Sequence, residues 1–433
     1  MVKVQEEGGT MSIEESVRPA RASGGLRCRH CSEPIAREFA DLGMTPLANA
    51  YRREEDLNRP ETFYPLVAYA CERCHLVQLP SSVDPGTLFD DYLYFSSYSR
   101  TWLEHCRRHA ASTVPRFGLT PSSQVIEVAS NDGHLLRCFA DLGIPVLGIE
   151  PAQNVAEVAR AAGVPTVSRF FGEEVARDLA NENRRADLLV ANNVLAHVPD
   201  LNGFVRGIRT LLAERGVATL EFPHLERLIE DRSFDTIYHE HFSYFSFTTV
   251  VSLFAGHGLT VFDVEELPTH GGSLRVYVRH EEDETRERSS AVGALLDREE
   301  AWGVTRMDTY TAFRDSVRRM KRQLLGNLIE LKSQGASIVG YGAPAKGNTL
   351  LNYCGIGTDF LDYTVDRSPH KQGRYLPGTR IPIHAPERIA ETKPDYVLIL
   401  PWNLTDEITE QMAHVRSWGG RFAVPIPEFK VIE

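Results

Sequence analysis

Apolar and polar positions alternate most legibly between Val125 and Pro151. Val125, Ile126, Glu127, Val128 and Ala129 form a short, mostly apolar run suited to a strand covered on both faces. Ser130, Asn131, Asp132 and Gly133 are turn formers that could cap the next helix. Helical spacing then puts Leu135, Leu136, Phe139 and Leu142 on one inward face until Gly143. A second strand, Val146 to Ile149, ends on Glu150 and Pro151. The pattern continues with a helix over 155–162, a strand over 164–167, a strand over 186–191, a helix over 201–212 and strands over 216–222 and 274–279. Strands that alternate with helices predict an α/β fold around a largely parallel, doubly wound sheet.

Periodicity changes twice more. The first 25 residues are polar and aperiodic and read as a flexible tail. Charged residues crowd 281–290, and helical spacing then runs from Ala291 to Gln334. Apolar runs at 337–341, 361–366, 396–400 and 421–425 predict a second doubly wound unit. The expected division is a tail (1–25), a small domain (26–88), a first α/β domain (89–280) and a second (281–433).

Composition narrows the function. With 433 residues and 42% hydrophobic content, the chain can bury several cores. A net charge of −12 argues against a nucleic-acid partner, because such binding is driven by neutralising phosphates. No run is long and apolar enough for a membrane span, and no signal-peptide pattern is present, so a cytoplasmic location is expected. The oligomeric state is left open, a monomer among the states allowed.

Cys28 and Cys31 form one Cys-x-x-Cys pair, and Cys71 and Cys74 form another. Two such pairs without an export signal suit a four-thiolate structural zinc site better than disulfides. Cys106, Cys138 and Cys354 stand alone and read as small apolar residues. The aromatic stretch 91–99 carries Tyr92, Ser97 and Tyr98, which would either staple the small domain to the next one or line a substrate pocket.

An acid at the tip of a second strand is where a nucleotide-type ligand presents its ribose hydroxyls. Gly133 is the only glycine between Val125 and Leu142, so a pyrophosphate cradle is missing and a ligand with ribose alone fits better. S-adenosylmethionine is such a ligand. The stretch resembles the first two motifs of class I methyltransferases, with Glu127 at their acidic position, Glu150 at their ribose acid, and Ala129 and Asn131 where that family often has glycine. Asn131, Gly133, Pro151, Asn192 and Asn193 complete the expected cofactor site, and His197 lies on the same rim. Tyr238, His239, Glu240 and His241 put a phenol, two imidazoles and a carboxylate in four consecutive positions. The histidines are too close in sequence for a zinc protease motif, so a general base with orienting neighbours is the better account. If this segment is extended, His239 and His241 share one side and Tyr238 and Glu240 the other. Near the C-terminal unit's first strand, Tyr341, Lys346 and Asn348 flank a helix start suited to a phosphate.

The cysteine pairs, the methyltransferase-type unit, the box from Tyr238 to Ser246, the run from His270 to Arg275 and the run from Gly340 to Gly347 occur in one order. In this the chain resembles the zinc-containing sugar C-methyltransferases that act on nucleotide-linked 4-keto deoxysugars in antibiotic pathways. The resemblance implies a class I, Rossmann-like methyltransferase domain between an N-terminal zinc-binding domain and a C-terminal doubly wound α/β domain. It implies S-adenosylmethionine and a structural Zn2+, and a dTDP-linked 4-keto sugar methylated at C-3. It also implies that His241 is the base, with Glu240 and Tyr238 assisting and His239 and His197 as competitors. An O- or N-methyltransferase of another small molecule, or a non-enzymatic zinc scaffold, are the alternatives.

Overall fold

The computed structural model describes residues 25–81, 83 and 100–432. The expected tail, apart from Gly25, and the candidate pocket residues Tyr92, Ser97 and Tyr98 lie outside the described residues.

The N-terminal unit is built on β1 (Arg37–Thr45), β2 (Tyr64–Ala70) and β3 (Val77–Gln78), paired antiparallel in that order. Two loops of the same construction accompany it, one before β1 and one between β2 and β3. In each, the amide after the Cys-x-x-Cys closes on the first cysteine's carbonyl, Ser32 N to Cys28 O at 2.9 Å and His75 N to Cys71 O at 3.0 Å. Ser32 and His75 take positive φ (61° and 62°), which turns each loop back so that both of its thiols face the same point. Sγ of Cys28 lies 3.5 Å from that of Cys74, and Sγ of Cys31 lies 3.5 Å from that of Cys71, with all four within 4.8 Å of one another. Thiolates about 2.3 Å from a tetrahedral zinc sit about 3.8 Å apart, so this donor set fits the ion and leaves no open coordination position.

The middle sheet comprises β4 (Val125–Val128), β5 (Val146–Ile149), β6 (Thr166–Val167), β7 (Ala186–Asn192) and β8 (Leu212–Pro223). The chain then leaves to form β9 (Ser243–Tyr244) and returns with β10 (Leu259–Leu267) and β11 (Ser273–His280). The order is β10-β11-β8-β7-β4-β5-β6, parallel from β8 to β6, with β11 antiparallel to both β8 and β10. Strand order reverses at β4, which opens a crevice at the carboxyl ends of β4 and β7. All four β4 side chains are buried, as the double-sided reading of that run requires. Two local expectations fail. Leu142 is exposed, because the helix His134–Ala140 ends two residues earlier than its spacing suggests, and no side chain caps that helix.

Two residues long, β9 belongs to the N-terminal sheet: Val77 pairs with Tyr244 and Gln78 with Ser243. The helical region after residue 290 is two helices, Ser290–Trp302 and Met307–Ser333, broken at Gly303 in the left-handed region. The second helix lies on β1, with Phe313 stacked on Phe39 at 4.6 Å between ring centres. A third sheet follows, of β12 (Ile338–Tyr341), β13 (Thr364–Val365), β14 (Ile383–His384), β15 (Tyr396–Ile399), β16 (Arg421–Val424) and β17 (Lys430–Ile432). Its order is β14-β13-β12-β15-β16-β17, parallel except for the last strand. One apolar cluster runs from Phe39 and Leu66 through Tyr310 and Leu324 to Ile338 and Leu398, so the first and third sheets share a core. Among the described residues, no helix is long and apolar enough to cross a membrane.

Metal analysis of the purified protein should find one zinc per chain. The double substitution Cys31→Ser, Cys74→Ser should remove it and lower stability by several kcal/mol, because the binding free energy of a structural site is folding free energy. Zinc retained by that variant would break the assignment.

Candidate functional site

A cavity of ≈ 1130 Å³ opens where the carboxyl ends of β4, β5 and β7 meet the loop before β9, the segment after β1 and the helix start after β12. All three units contribute to its walls.

The turn after β4 is the tightest part. Ala129, Asn131 and Gly133 all take positive φ (55°, 49° and 75°), so two of the three positions hold residues with a Cβ in the left-handed region. That conformation costs an ordinary residue about 1–2 kcal/mol. Glu150 helps hold it: one carboxylate oxygen accepts from Asn131 N at 2.9 Å and the other from Ala152 N at 2.9 Å. Each oxygen keeps a second lone pair for a ribose hydroxyl. Gly133 packs where a Cβ would meet Val164 at 3.1 Å, so it shapes the turn without lining the cavity. Glu127 is buried behind the rim and is also absent from the lining. Burial, with Asp132 and Glu150 nearby, pushes its pKa well above the usual carboxylate range.

The remaining cofactor candidates converge. Asn131, Glu150, Pro151, Asn192 and Asn193 all line the cavity, beside Phe170 and Phe171. Neither the oxygen nor the nitrogen of the Asn192 amide has a hydrogen-bond partner among the described residues, and Oδ1 of Asn193 has none. Orphaned amides beside a two-oxygen acid fit S-adenosylmethionine, whose polar groups would satisfy them.

The box before β9 is a turn, closed by His241 N to Tyr238 O at 2.9 Å. The segment is therefore not extended, and the alternation that an extended segment would impose does not apply. Tyr238, Glu240 and His241 line the cavity together, whereas His239 points out, its Nε2 3.2 Å from Pro65 O and its ring against Tyr64. Nδ1 of His241 lies 2.9 Å from Thr236 O, so that nitrogen carries the proton and Nε2 offers the lone pair. The group that orients His241 is thus a backbone carbonyl, while Glu240 accepts from Asn49 Nδ2 at 2.6 Å. The His241 ring sits 4.0 Å from Tyr238 and 4.7 Å from His197, centre to centre. Burial first, then His197, His270 and Lys346, hold the His241 pKa well below its ordinary value. Burial brings His197 and His270 each down to about 4 and pushes Glu240 up to about 7.

His270, Lys371 and Arg374 are among the cavity residues that the sequence did not assign to the site. His270 lines it with φ at 56°, followed by Gly271 and Gly272, also at positive φ. A histidine before two glycines at a strand start is a signal for a forced turn. Lys371 and Arg374 line the C-terminal wall with no comparable signal. Lys346 is in the lining, its Nζ 2.6 Å from Asn403 Oδ1 and above the Trp402 ring. Tyr341 and Asn348 are not. Tyr341 packs in the third sheet's core, and Asn348 donates to Ala48 O at 2.6 Å, tying the third unit to the first. The cluster of His224, Glu226 and Glu299 is structural: Glu299 accepts from His224 and from the amides of Phe247 and Thr248, the first turn of a helix.

Comparison with known proteins covers all three units. Residues 28–89 match a family model described as a zinc binding domain, residues 102–264 one described as a methyltransferase domain, and residues 268–427 one described as a C-methyltransferase C-terminal domain. C-methyltransferase NovU of Streptomyces niveus is 38% identical over 420 residues, 97% of this chain and 99% of that protein. A ubiquinone biosynthesis O-methyltransferase of Bartonella tribocorum is 31% identical over 101 residues, 22% of this chain and 41% of that one. Among solved structures, magnesium protoporphyrin IX methyltransferase from Synechocystis PCC 6803 aligns with a TM-score of 0.34 at 13% identity, over 46% of this chain and 99% of its own.

Glu150→Ala should weaken S-adenosylmethionine binding, measured by calorimetry, by about 1–3 kcal/mol for lost charge-assisted hydrogen bonds. Unchanged affinity would remove Glu150 from the site. Glu240 gives a second expectation. Its folded pKa of about 7 lies above the ordinary 4.5, so the folded state holds the proton more tightly. Stability from this group is full below pH 4.5 and is lost as pH rises through 7. Glu240→Gln should therefore gain on the wild type in melting temperature between pH 5 and pH 8, and a constant difference would contradict the shift.

Proposed function

This chain belongs to the C-methyltransferase family and is an S-adenosylmethionine-dependent C-methyltransferase with a zinc-binding N-terminal domain, and from that premise we propose that it methylates C-3 of a dTDP-linked 4-keto deoxysugar in an antibiotic pathway. The observation that carries the reading is the neutral, tautomer-locked His241 in the same cavity as Glu150 and Lys346. When bound, S-adenosylmethionine supplies an electrophilic sulfonium methyl group.

A carbon beside a ketone becomes a nucleophile once its proton is removed. Nε2 of His241 takes that proton, because Nδ1 is committed to Thr236 O and burial keeps the ring unprotonated at neutral pH. The Tyr238 hydroxyl donates to the keto oxygen as charge develops there. His197, against the His241 ring and hydrogen-bonded to the Glu240 backbone, limits the positions that ring can adopt. Once His241 is protonated, the carboxyl of Glu240, in the same cavity wall, contributes a compensating charge.

The far wall suits a diphosphate. The helix Ala345–Cys354 begins at this wall, with Pro344, Ala345 and Lys346 in the lining, and the unpaired amides of a helix start suit a phosphate. Lys371 and Arg374 add two cations there. No hydrogen bond or ion pair engages the Arg374 guanidinium among the described residues, which leaves its fork available to phosphate oxygens.

Incubation with S-adenosylmethionine and a dTDP-4-keto deoxysugar in deuterated water should give a product heavier by one methyl group, with deuterium exchange at C-3 of the unreacted substrate. His241→Asn should lower both methylation and exchange by about 10²–10⁴-fold, the usual worth of a general base. His239→Asn should have little effect, since that ring faces Pro65 O. The paired change Lys371→Ala, Arg374→Ala should raise KM for the sugar nucleotide and leave that for S-adenosylmethionine unchanged. Near-normal turnover in His241→Asn with collapse in His197→Asn would transfer the role of base to His197.

A further inference from the structure

The zinc-binding loop makes two contacts that a purely structural element would not need. Between Cys28 and Cys31, Arg29 sends its side chain to two backbone carbonyls outside the loop. One guanidinium nitrogen donates to Pro199 O at 3.2 Å and the other to Leu79 O. Its Cζ lies over the Phe242 ring, 5.3 Å from the ring centre. Pro199 follows the short turn Leu195–His197, and Phe242 follows His241 directly. Leu79, in turn, donates its amide to Phe242 O at 3.0 Å. A single side chain therefore spans the two loops that carry the paired imidazoles.

The backbone of the same loop is bolted on both sides. Arg29 N donates to Gln78 Oε1 at 2.9 Å, and Gln78 Nε2 reaches Cys28 Sγ at 3.2 Å while its backbone pairs with Ser243. Asn202 Nδ2, just past the His197 turn, donates to the carbonyls of Arg29 and His30 at 3.1 and 3.0 Å. The cysteines fix the loop, the loop aims Arg29, and Arg29 holds the His197 and His241 loops at one spacing.

We propose that Arg29 is a positioning residue through which the zinc-binding loop sets the geometry of the His197–His241 pair. A guanidinium suits this role because its donors diverge in one rigid plane whose face can stack on an aromatic ring. An ammonium group can reach either carbonyl but cannot bridge both while stacking. Zinc at this site then has a consequence for proton abstraction beyond stability. The proposal rests on the assignment of His241 as base.

The test compares Arg29→Met and Arg29→Lys in the full-length, zinc-loaded protein. Zinc content and S-adenosylmethionine affinity by calorimetry should stay at wild-type values, because Arg29 is neither a metal ligand nor part of the cofactor wall. With a dTDP-4-keto deoxysugar, kcat and C-3 exchange should fall together by about tenfold or more in Arg29→Met, since small misplacements of a catalytic group cost that much. KM should change little, and Arg29→Lys should fall between the two. Backbone amides at 197–202 and 241–244 should exchange hydrogen faster in both variants. Full turnover in both, or unchanged amide protection in both loops, overturns the proposal. Loss of zinc in Arg29→Met and wild-type behaviour in Arg29→Lys would also overturn it, because the side chain would then serve only the metal site. If His241→Asn keeps turnover, the base is misassigned, and amide protection alone then decides whether Arg29 holds the loops.

Discussion

Two residues of strand pairing hold the active-site side of this molecule together. Ser243 and Tyr244 leave the middle unit and hydrogen-bond to β3, which also carries Gln78 into the zinc-binding loop. His241 lies two residues before that strand, so its position relative to the cofactor crevice is set by the N-terminal sheet. A strand this short contributes little by itself. It is stable because Phe242, Tyr244 and Phe245 are all buried on either side of the joint. The middle sheet supplies the crevice at the reversal of strand order, and the first sheet fixes where His241 stands beside it.

Burial then determines the chemistry. His197, His241, His270 and Lys346 share one cavity, and each feels low dielectric or its neighbours' charge. Protonating one imidazole raises the cost of protonating the next, so the resting site keeps its rings neutral and able to accept a proton. Glu240 runs the opposite way, pushed up to about 7 by the same burial. A neutral imidazole, a carboxyl that burial makes harder to ionise and a phenol share one wall of the cavity.

The C-terminal unit closes the cavity through contacts with the first. Tyr51 donates to Ala343 O at 2.5 Å, Asn348 to Ala48 O, and Phe39 stacks on Phe313. The segment Leu47–Tyr51 is therefore wedged between the box and the helix start after β12, where Asn49 reaches Glu240. Three units that look separable along the chain share two cores and one site.

Local rules carried much of this. Buried parallel strands announce themselves as apolar runs, paired cysteines as a metal site, and an acid at a strand tip as part of the crevice wall, because each depends on residues close in sequence. The three-unit architecture, the four thiolates, Glu150 and the concentration of chemistry in 238–241 were legible on that basis. What only the folded chain decided depends on distant partners. The direction of His239 follows from a turn closed by the Tyr238 carbonyl and from Pro65 in another unit. Tyr341 and Asn348 left the site because the third sheet's core and Ala48 claimed them. Ala129 and Asn131 adopt a glycine conformation because Glu150 and the strands around them outweigh local preference. Which imidazole is held neutral with its lone pair facing the cavity depends on the Thr236 carbonyl and on burial among three units, and no stretch of sequence carries that information alone.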